Sequence, residues 1–178
     1  MGTAREPKPA KYFVALLSSD PELLNGIESE LSSILGGVDG KSTPVLWTAS
    51  NFYEKEMGPG LLRRFVSFSN LRSPLDLAAI KRQTQIIEDR HRTAGSGGRR
   101  INLDPGYLDA LKVVLASTKN AGQRIYLQSG IYAEVTLLYY DAAFHGLAYT
   151  YRDYLWPDTL AFFTQLRSRY ASQLRQSN

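Results

Sequence analysis

The chemistry open to this chain is narrowed first by what it lacks. None of its 178 residues is cysteine, which removes thiolate zinc sites, iron–sulfur clusters, disulfide staples and cysteine nucleophiles. His91 and His145 are its two imidazoles, and neither has another histidine nearby in sequence. Their spacing therefore supports neither a metal centre nor a serine triad. Polar chemistry falls to carboxylates, lysines, arginines and tyrosines. The basic residues cluster: residues 63–100 carry nine basic and three acidic side chains, against five and eight over residues 1–62, within a net charge of +4. That segment can attract phosphate or form a solvated helix face.

One stretch imitates a phosphate-binding loop. Gly36-Gly37-Val38-Asp39-Gly40-Lys41-Ser42 approaches G-x-x-x-x-G-K-[ST], but Leu35 stands where the first glycine belongs. The stretch also leaves a helix rather than a strand, so its N–H groups have no helix start on which to converge. The segment from Arg124 to Tyr140 reads as a β-hairpin. A three-residue Gln128-Ser129-Gly130 loop pairs Leu127 with Ile131, Tyr126 with Tyr132 and Arg124 with Glu134. Ile125, Leu127, Ile131, Ala133 and Val135 then share the core face. Arg124, Tyr126, Tyr132, Glu134 and Thr136 share the other, as a wet ion pair beside aromatics or as the polar wall of a binding cleft.

The elements that must position these groups follow from pattern. Residues 1–11 read as a loose arm and residues 12–178 as one α+β domain. The run Tyr12–Leu17 is a buried strand. Asp20-Pro21 starts a helix with a stripe of Leu24, Ile27, Leu31 and Leu35, ended by Gly36-Gly37. Val45–Thr48 and Arg63–Phe68 are strands, Ser73-Pro74 opens a second helix through Leu77, Ile80, Thr84 and Ile87, and Arg100–Leu103 is a fourth strand. Up to that point the order is β-α-β-β-α-β, the split arrangement of a ferredoxin-like core. Asp104-Pro105 imitates the earlier helix start, so a third helix is expected through Tyr107, Leu111 and Leu115. The hairpin, a short strand near Phe144 and a last helix after Trp156-Pro157-Asp158 complete the chain.

Several strings, YEKEMGPGL (53–61), RRFVSF (63–68), INLDPGYL (101–108) and RIYLQSGIYAEVTL (124–137), resemble a bacterial family catalogued as domain of unknown function four-four-one-six. The resemblance runs from about Lys11 to Arg175 and implies, from the label its members often carry, a GTP-binding protein. No N-K-x-D motif for guanine accompanies it; Thr118-Lys119-Asn120-Ala121 lacks the aspartate. The matching positions are rich in polar residues, and with the hairpin tyrosines they supply the candidate ligand-binding set: Tyr53, Lys55, Glu56, Arg63, Arg64, Asn102, Asp104, Lys112, Lys119, Arg124, Tyr126, Tyr132 and Glu134. Asp153 also matches. Each has a plainer role open to it: Asp104 as a helix cap, Lys112 on an exposed helix face, Lys55 and Glu56 in a solvated loop.

Two functions remain in contention. In the first, the chain binds a phosphorylated small molecule or nucleotide. Lys55, Arg63, Arg64, Lys119 and Arg124 then neutralise phosphate, Tyr53, Tyr126 or Tyr132 stack on a base, and Glu56, Asp104 or Glu134 hold a magnesium ion that comes with the nucleotide. Catalysis would require at least two of those carboxylates to meet. In the second, the chain is a non-catalytic nucleic-acid or protein binding module, though RRFVSF lacks the glycines of an RNA-recognition strand. No apolar run is long enough to span a bilayer and no signal peptide opens the chain, so a cytoplasmic protein without membrane attachment is expected.

Overall fold

The computed structural model describes residues 2–95 and 97–176. Its centre is β1 (Ala10–Ser18), buried along its whole length. Full burial follows from cover on both sides, because side chains alternate across a strand. Tyr12, Val14 and Leu16 pack with Leu24, Ile27, Leu31 and Leu35 of α1 (Pro21–Leu35) and with Leu77, Ile80 and Ile87 of α3 (Leu77–Arg90). Phe13 and Ala15 pack instead with Phe162, Phe163, Leu166 and Tyr170 of α4 (Pro157–Gln176). The YFVALL run thus reads as apolar throughout rather than alternating. The strand also takes in Lys11 from the expected arm: this lysine is fully buried, ion-paired with Asp39, and donates to Gln173 Oε1 at 2.8 Å.

The remaining strands are β2 (Val38–Lys41), β3 (Val45–Leu46), β4 (Leu62–Arg72), β5 (Asn102–Leu108), β6 (Lys112–Ser117), β7 (Ile125–Gln128), β8 (Ile131–Tyr140) and β9 (Ala143–Gly146). They form one antiparallel sheet in the order β2-β4-β1-β5-β6-β8-β7, with β3 added to β4 and β9 to β8. The chain is an α+β protein. A four-residue helix, α2 (Glu54–Met57), follows β3. Asp20 caps α1 as its sequence promises, accepting from the Glu22 and Leu23 N–H groups at 3.0 Å each.

The expected helix after Asp104-Pro105 does not form. Residues 102–117 are instead the β5–β6 hairpin, and Asp104 and Lys112 lie on strands, so neither the helix cap nor the exposed helix position exists. The helical spacing of Tyr107, Leu108, Leu111, Val114 and Leu115 is offset by two local signals. The run Val113–Ala116 is continuously buried, as a central strand requires, and Asp109 Oδ1 accepts from the N–H groups of Leu111 and Lys112, folding the chain back on itself.

The second hairpin is nearer to expectation. Tyr126 faces Tyr132 and Arg124 meets Glu134. The turn, however, is the two residues Ser129-Gly130, both at positive φ, and Leu127 is the extra residue between the paired Tyr126 and Gln128. The bulge and the edge position leave Ile125 73% and Leu127 39% exposed, outside the core face expected of them. The ion pair is the reverse case, with side chains only 6% and 2% exposed rather than wet.

Gly106 is where β5 crosses closest to its neighbours. A Cβ built there would lie 2.6 Å from the Val114 carbonyl oxygen and 2.6 Å from Phe13 Cζ. The backbone oxygen cannot yield as a side chain can, so Gly106→Ala should destabilise the fold by roughly 1–3 kcal/mol. Thermal unfolding should show Tm falling by several degrees; an unchanged Tm would mean that the strands part without cost.

Candidate functional site

The sheet is incomplete at one place, and the candidate site lies there. The registered β5–β6 pairs run only from Gly106–Leu115 to Leu108–Val113. Before Gly106, β5 continues along β1 alone, through Pro105, which has no N–H to offer a ladder. Asn102 and Asp104 on this stretch face the end of β6 and the loop behind it across a cavity of about 520 Å³, whose lining includes Leu115, Ala116, Ser117, Thr118 and Lys119. Lys81, Gln85 and Glu88 of α3 line it from one side of the sheet; Arg63 of β4, Glu134 of β8 and the 149–154 segment line it from the other.

Strand alternation decides which arginine enters. Arg63 is on the same face as Phe65 and reaches the cavity, whereas Arg64 turns to α1 and donates to Asn25 Oδ1 at 2.7 Å. Arg63 is 4% exposed, lies 4.7 Å from the Trp47 ring centroid, and pairs through Nε with Asp153 Oδ2 at 3.0 Å. The angles of this contact are poor. Arg63 Nε and Nη1 and both Asp153 carboxylate oxygens are buried without a hydrogen-bond partner, as is the neighbouring Tyr154 hydroxyl. Unsatisfied buried polar atoms are uncommon in folded proteins, so this cluster is a place where a water or a ligand's polar group can be received.

A connected network forms the floor. Lys81 Nζ donates to the Leu103 carbonyl at 2.8 Å and to Asp104 Oδ1 at 3.0 Å, while Asn102 Nδ2 donates to Asp104 Oδ2 at 2.6 Å. Arg99 Nη1 donates to Asn102 Oδ1 at 2.8 Å, and its Nε and Nη2 grip Glu56 at 2.8 and 2.7 Å. Burial opposes the Asp104 carboxylate, but the charges of Lys81 and Arg63 and the hydrogen bonds from Lys81 and Asn102 prevail and hold its pKa below the ordinary value. Asp153 moves the other way, its pKa raised by burial that the Arg63 charge offsets only in part. Glu88 is raised likewise by burial, against Lys81 and the Leu103 N–H. Asp104 keeps 27% of its side-chain surface exposed, whereas Asp153 keeps 1%.

The walls are aromatic. Trp47 and Tyr53 meet edge to face at 5.9 Å, Phe52 adjoins Tyr53 at 5.1 Å, and Tyr149 and Tyr151 face them from the 149–154 segment. Arg124 ties two rims together. Its Nε binds Glu134 Oε2 at 2.8 Å, Nη1 donates to the Lys119 carbonyl at 2.9 Å and Nη2 to the Tyr151 hydroxyl at 2.7 Å.

Of the sequence candidates, Tyr53, Arg63, Asn102, Asp104, Lys119, Arg124 and Glu134 line this one cavity. Glu56 stands behind it, joined through Arg99. Lys55 is exposed on α2, Arg64 belongs to the α1 side, and Lys112 pairs with Asp109 at 2.6 Å. Tyr126 and Tyr132 pack on each other at 5.3 Å on the outer hairpin and do not line the cavity. Glu56, Asp104 and Glu134 are each engaged by a different cation, and the described residues contain no group of three or more His, Asp or Glu placed to hold a metal ion. The stretch resembling a phosphate-binding motif lies elsewhere, running from the end of α1 through β2, where Gly40 pairs with Ser67 of β4 and a Cβ on it would meet Arg169.

Trp47, Phe52, Glu88 and Tyr151 also line the cavity without having been expected there, and Lys81 and Arg99, expected only as part of the basic segment 63–100, join them. A signal was present on α3: Lys81, Thr84 and Glu88 fall at core spacing among Leu77, Ile80 and Ile87, and charges there must serve a buried partner.

The raised pKa of Glu88 yields a pH prediction. The folded state holds this proton more tightly than the unfolded one, whose pKa is about 4.3, so stability due to Glu88 is full below that value and falls as pH rises through the folded pKa. Glu88→Gln lacks this titration while retaining an acceptor for the Leu103 N–H. The variant's Tm relative to wild type should therefore rise as pH climbs from about 4 through the folded pKa and then level off. A difference that stays constant with pH would show that Glu88 ionises normally.

Neither the curated proteins nor the solved structures contain a match to the chain. One family model, described as a domain of unknown function (DUF4416), matches residues 8–170, a span that holds every residue of the cavity. The chain belongs to the DUF4416 family.

Proposed function

We propose that the cavity binds a small phosphorylated molecule bearing a flat ring, of the nucleotide kind. The observation that carries this reading is the meeting of aromatic faces with a cation that has no carboxylate partner among the described residues: Lys119 Nζ lies 4.5 Å from the Phe52 ring centroid, at the edge of the cavity that Trp47, Tyr53 and Tyr151 wall. Rings stack between such faces, and phosphate seeks the free ammonium. The volume of about 520 Å³ suits a small molecule, since ligand pockets span roughly 300–1,000 Å³.

The alternative, a nucleic-acid module, draws less support. We read the β1-α1-β2-β4-α3-β5 unit, with its strand order β2-β4-β1-β5, as a ferredoxin-like core whose second strand is Val38–Lys41 rather than the expected Val45–Thr48, which is only the short β3 at Val45–Leu46. In RNA-binding versions of such a sheet an open face displays aromatics to bases, whereas here α1 and α3 cover one face and α4 the other. No described helix is long and apolar enough to cross a membrane.

Thermal unfolding with a panel of nucleotides at millimolar concentration tests the reading. A ligand at a hundred times its Kd stabilises by about 2.7 kcal/mol, which for a chain of this size is a rise of roughly 5–10 °C in Tm. No shift with any phosphorylated member of the panel sinks the proposal. Retardation of single-stranded RNA that weakens steeply with salt would favour the nucleic-acid reading instead.

A further inference from the structure

The four deep cations of the cavity are each already paired with a carboxylate, and a fifth carboxylate, Glu88, lies with Oε2 3.9 Å from Arg99 Nη1. Arg63 pairs with Asp153 at 3.0 Å, Lys81 with Asp104 at 3.0 Å, Arg99 with Glu56 at 2.7 Å and Arg124 with Glu134 at 2.8 Å. Drawing one of these cations to a ligand's charge would leave a carboxylate unpaired in a poorly solvated place, a strongly unfavourable exchange. The interior therefore suits an uncharged, polar body. Asp104, a lining carboxylate with 27% of its side-chain surface exposed, offers an acceptor to that body's N–H or O–H groups.

Two lining cations stand outside this scheme. Lys119 and Arg152 are exposed and have no carboxylate partner among the described residues. They belong to different segments, yet Arg124 links those segments, holding the Lys119 carbonyl with one nitrogen and the hydroxyl of Tyr151, the neighbour of Arg152, with another. The free positive charge of the cavity is thus at its mouth and amounts to two side chains. A phosphomonoester carries about −1.5 to −2 at pH 7, which these two side chains balance. A triphosphate brings further negative charge, and usually a magnesium ion held partly by protein carboxylates. Here Asp104 is already held by Lys81, and Glu134 and Asp153 are enclosed with their arginines.

Building on the reading of the cavity given above, we propose that its ligand is a phosphomonoester of nucleoside monophosphate size, with the uncharged ring and sugar among the paired charges and the phosphate at the mouth on Lys119 and Arg152. Polyphosphates are disfavoured. Arg124 is a positioning residue that sets the two rims.

Calorimetric titration of the full chain with the four common ribonucleosides, their 5′-monophosphates and their 5′-triphosphates, each with and without magnesium, tests this. For the base that binds, the monophosphate should bind about tenfold tighter than both the nucleoside and the triphosphate. In a Lys119→Met/Arg152→Met variant the monophosphate-to-nucleoside affinity ratio should collapse toward one. Lys119→Gln alone should reduce the same ratio, which serves if the double variant melts early. A triphosphate that binds as tightly as the monophosphate, or a ratio unmoved in the variants, overturns the proposal and leaves the cavity reading intact. No binding by any member removes both.

Discussion

Ions taken into a protein interior must be taken in pairs, and much of this molecule is arranged around that constraint. The sheet is covered on both faces, so β4, β5 and β8 have little room for a charged side chain that meets only water. Arg63, Asp104 and Glu134 nevertheless point inward from those strands, and each is met by an opposite charge delivered from another element: the 152–155 turn, α3 and the residue just before β7. A helix or loop that failed to arrive would leave a lone buried ion, at a cost of about 3–5 kcal/mol, so the pairs also fix where those elements sit.

The place where the ions gather is set by backbone. Pro105 and Gly106 are consecutive and act in opposite senses. Proline withholds an N–H from the ladder, while glycine lets β5 press against Phe13 and the Val114 carbonyl where pairing resumes. The result is a sheet that closes on one side of Gly106 and stays open on the other. Side chains from both layers can meet through that opening, as Lys81 of α3 does with Asp104 on the opposite face.

Local pattern made much of this visible in sequence. The apolar run of β1, the capped start and glycine end of α1, the stripe of α3 and the Tyr126–Tyr132 register all appear as composition and spacing suggest. The third helix did not, because Tyr107, Leu111 and Leu115 match a helical period by coincidence. Against it stand the local signals of the apolar Val113–Ala116 run and the Asp109 turn, together with the pairing of β5 to β1 and of β6 to β8. Seven of the thirteen candidate residues converge on the cavity, and those that do not fail for reasons of facing: Arg64 is one residue out of phase with Arg63, and Lys112 is held by the turn beside it. Arg99 counted only as one charge of the basic segment, because it lies in an irregular stretch with no period and its partner Glu56, 43 residues away, is brought to it by the fold.

The chain of contacts from Glu56 through Arg99, Asn102 and Asp104 to Lys81 crosses from a short helix to the middle of α3 without interruption. Each member is oriented by its neighbour, so removing the second changes what the fourth is worth. These five side chains form a single cooperative unit in which the cost of two substitutions differs from the sum of each alone. Variation along the chain is therefore expected to be correlated, with the α2 segment and the cavity floor changing together or not at all.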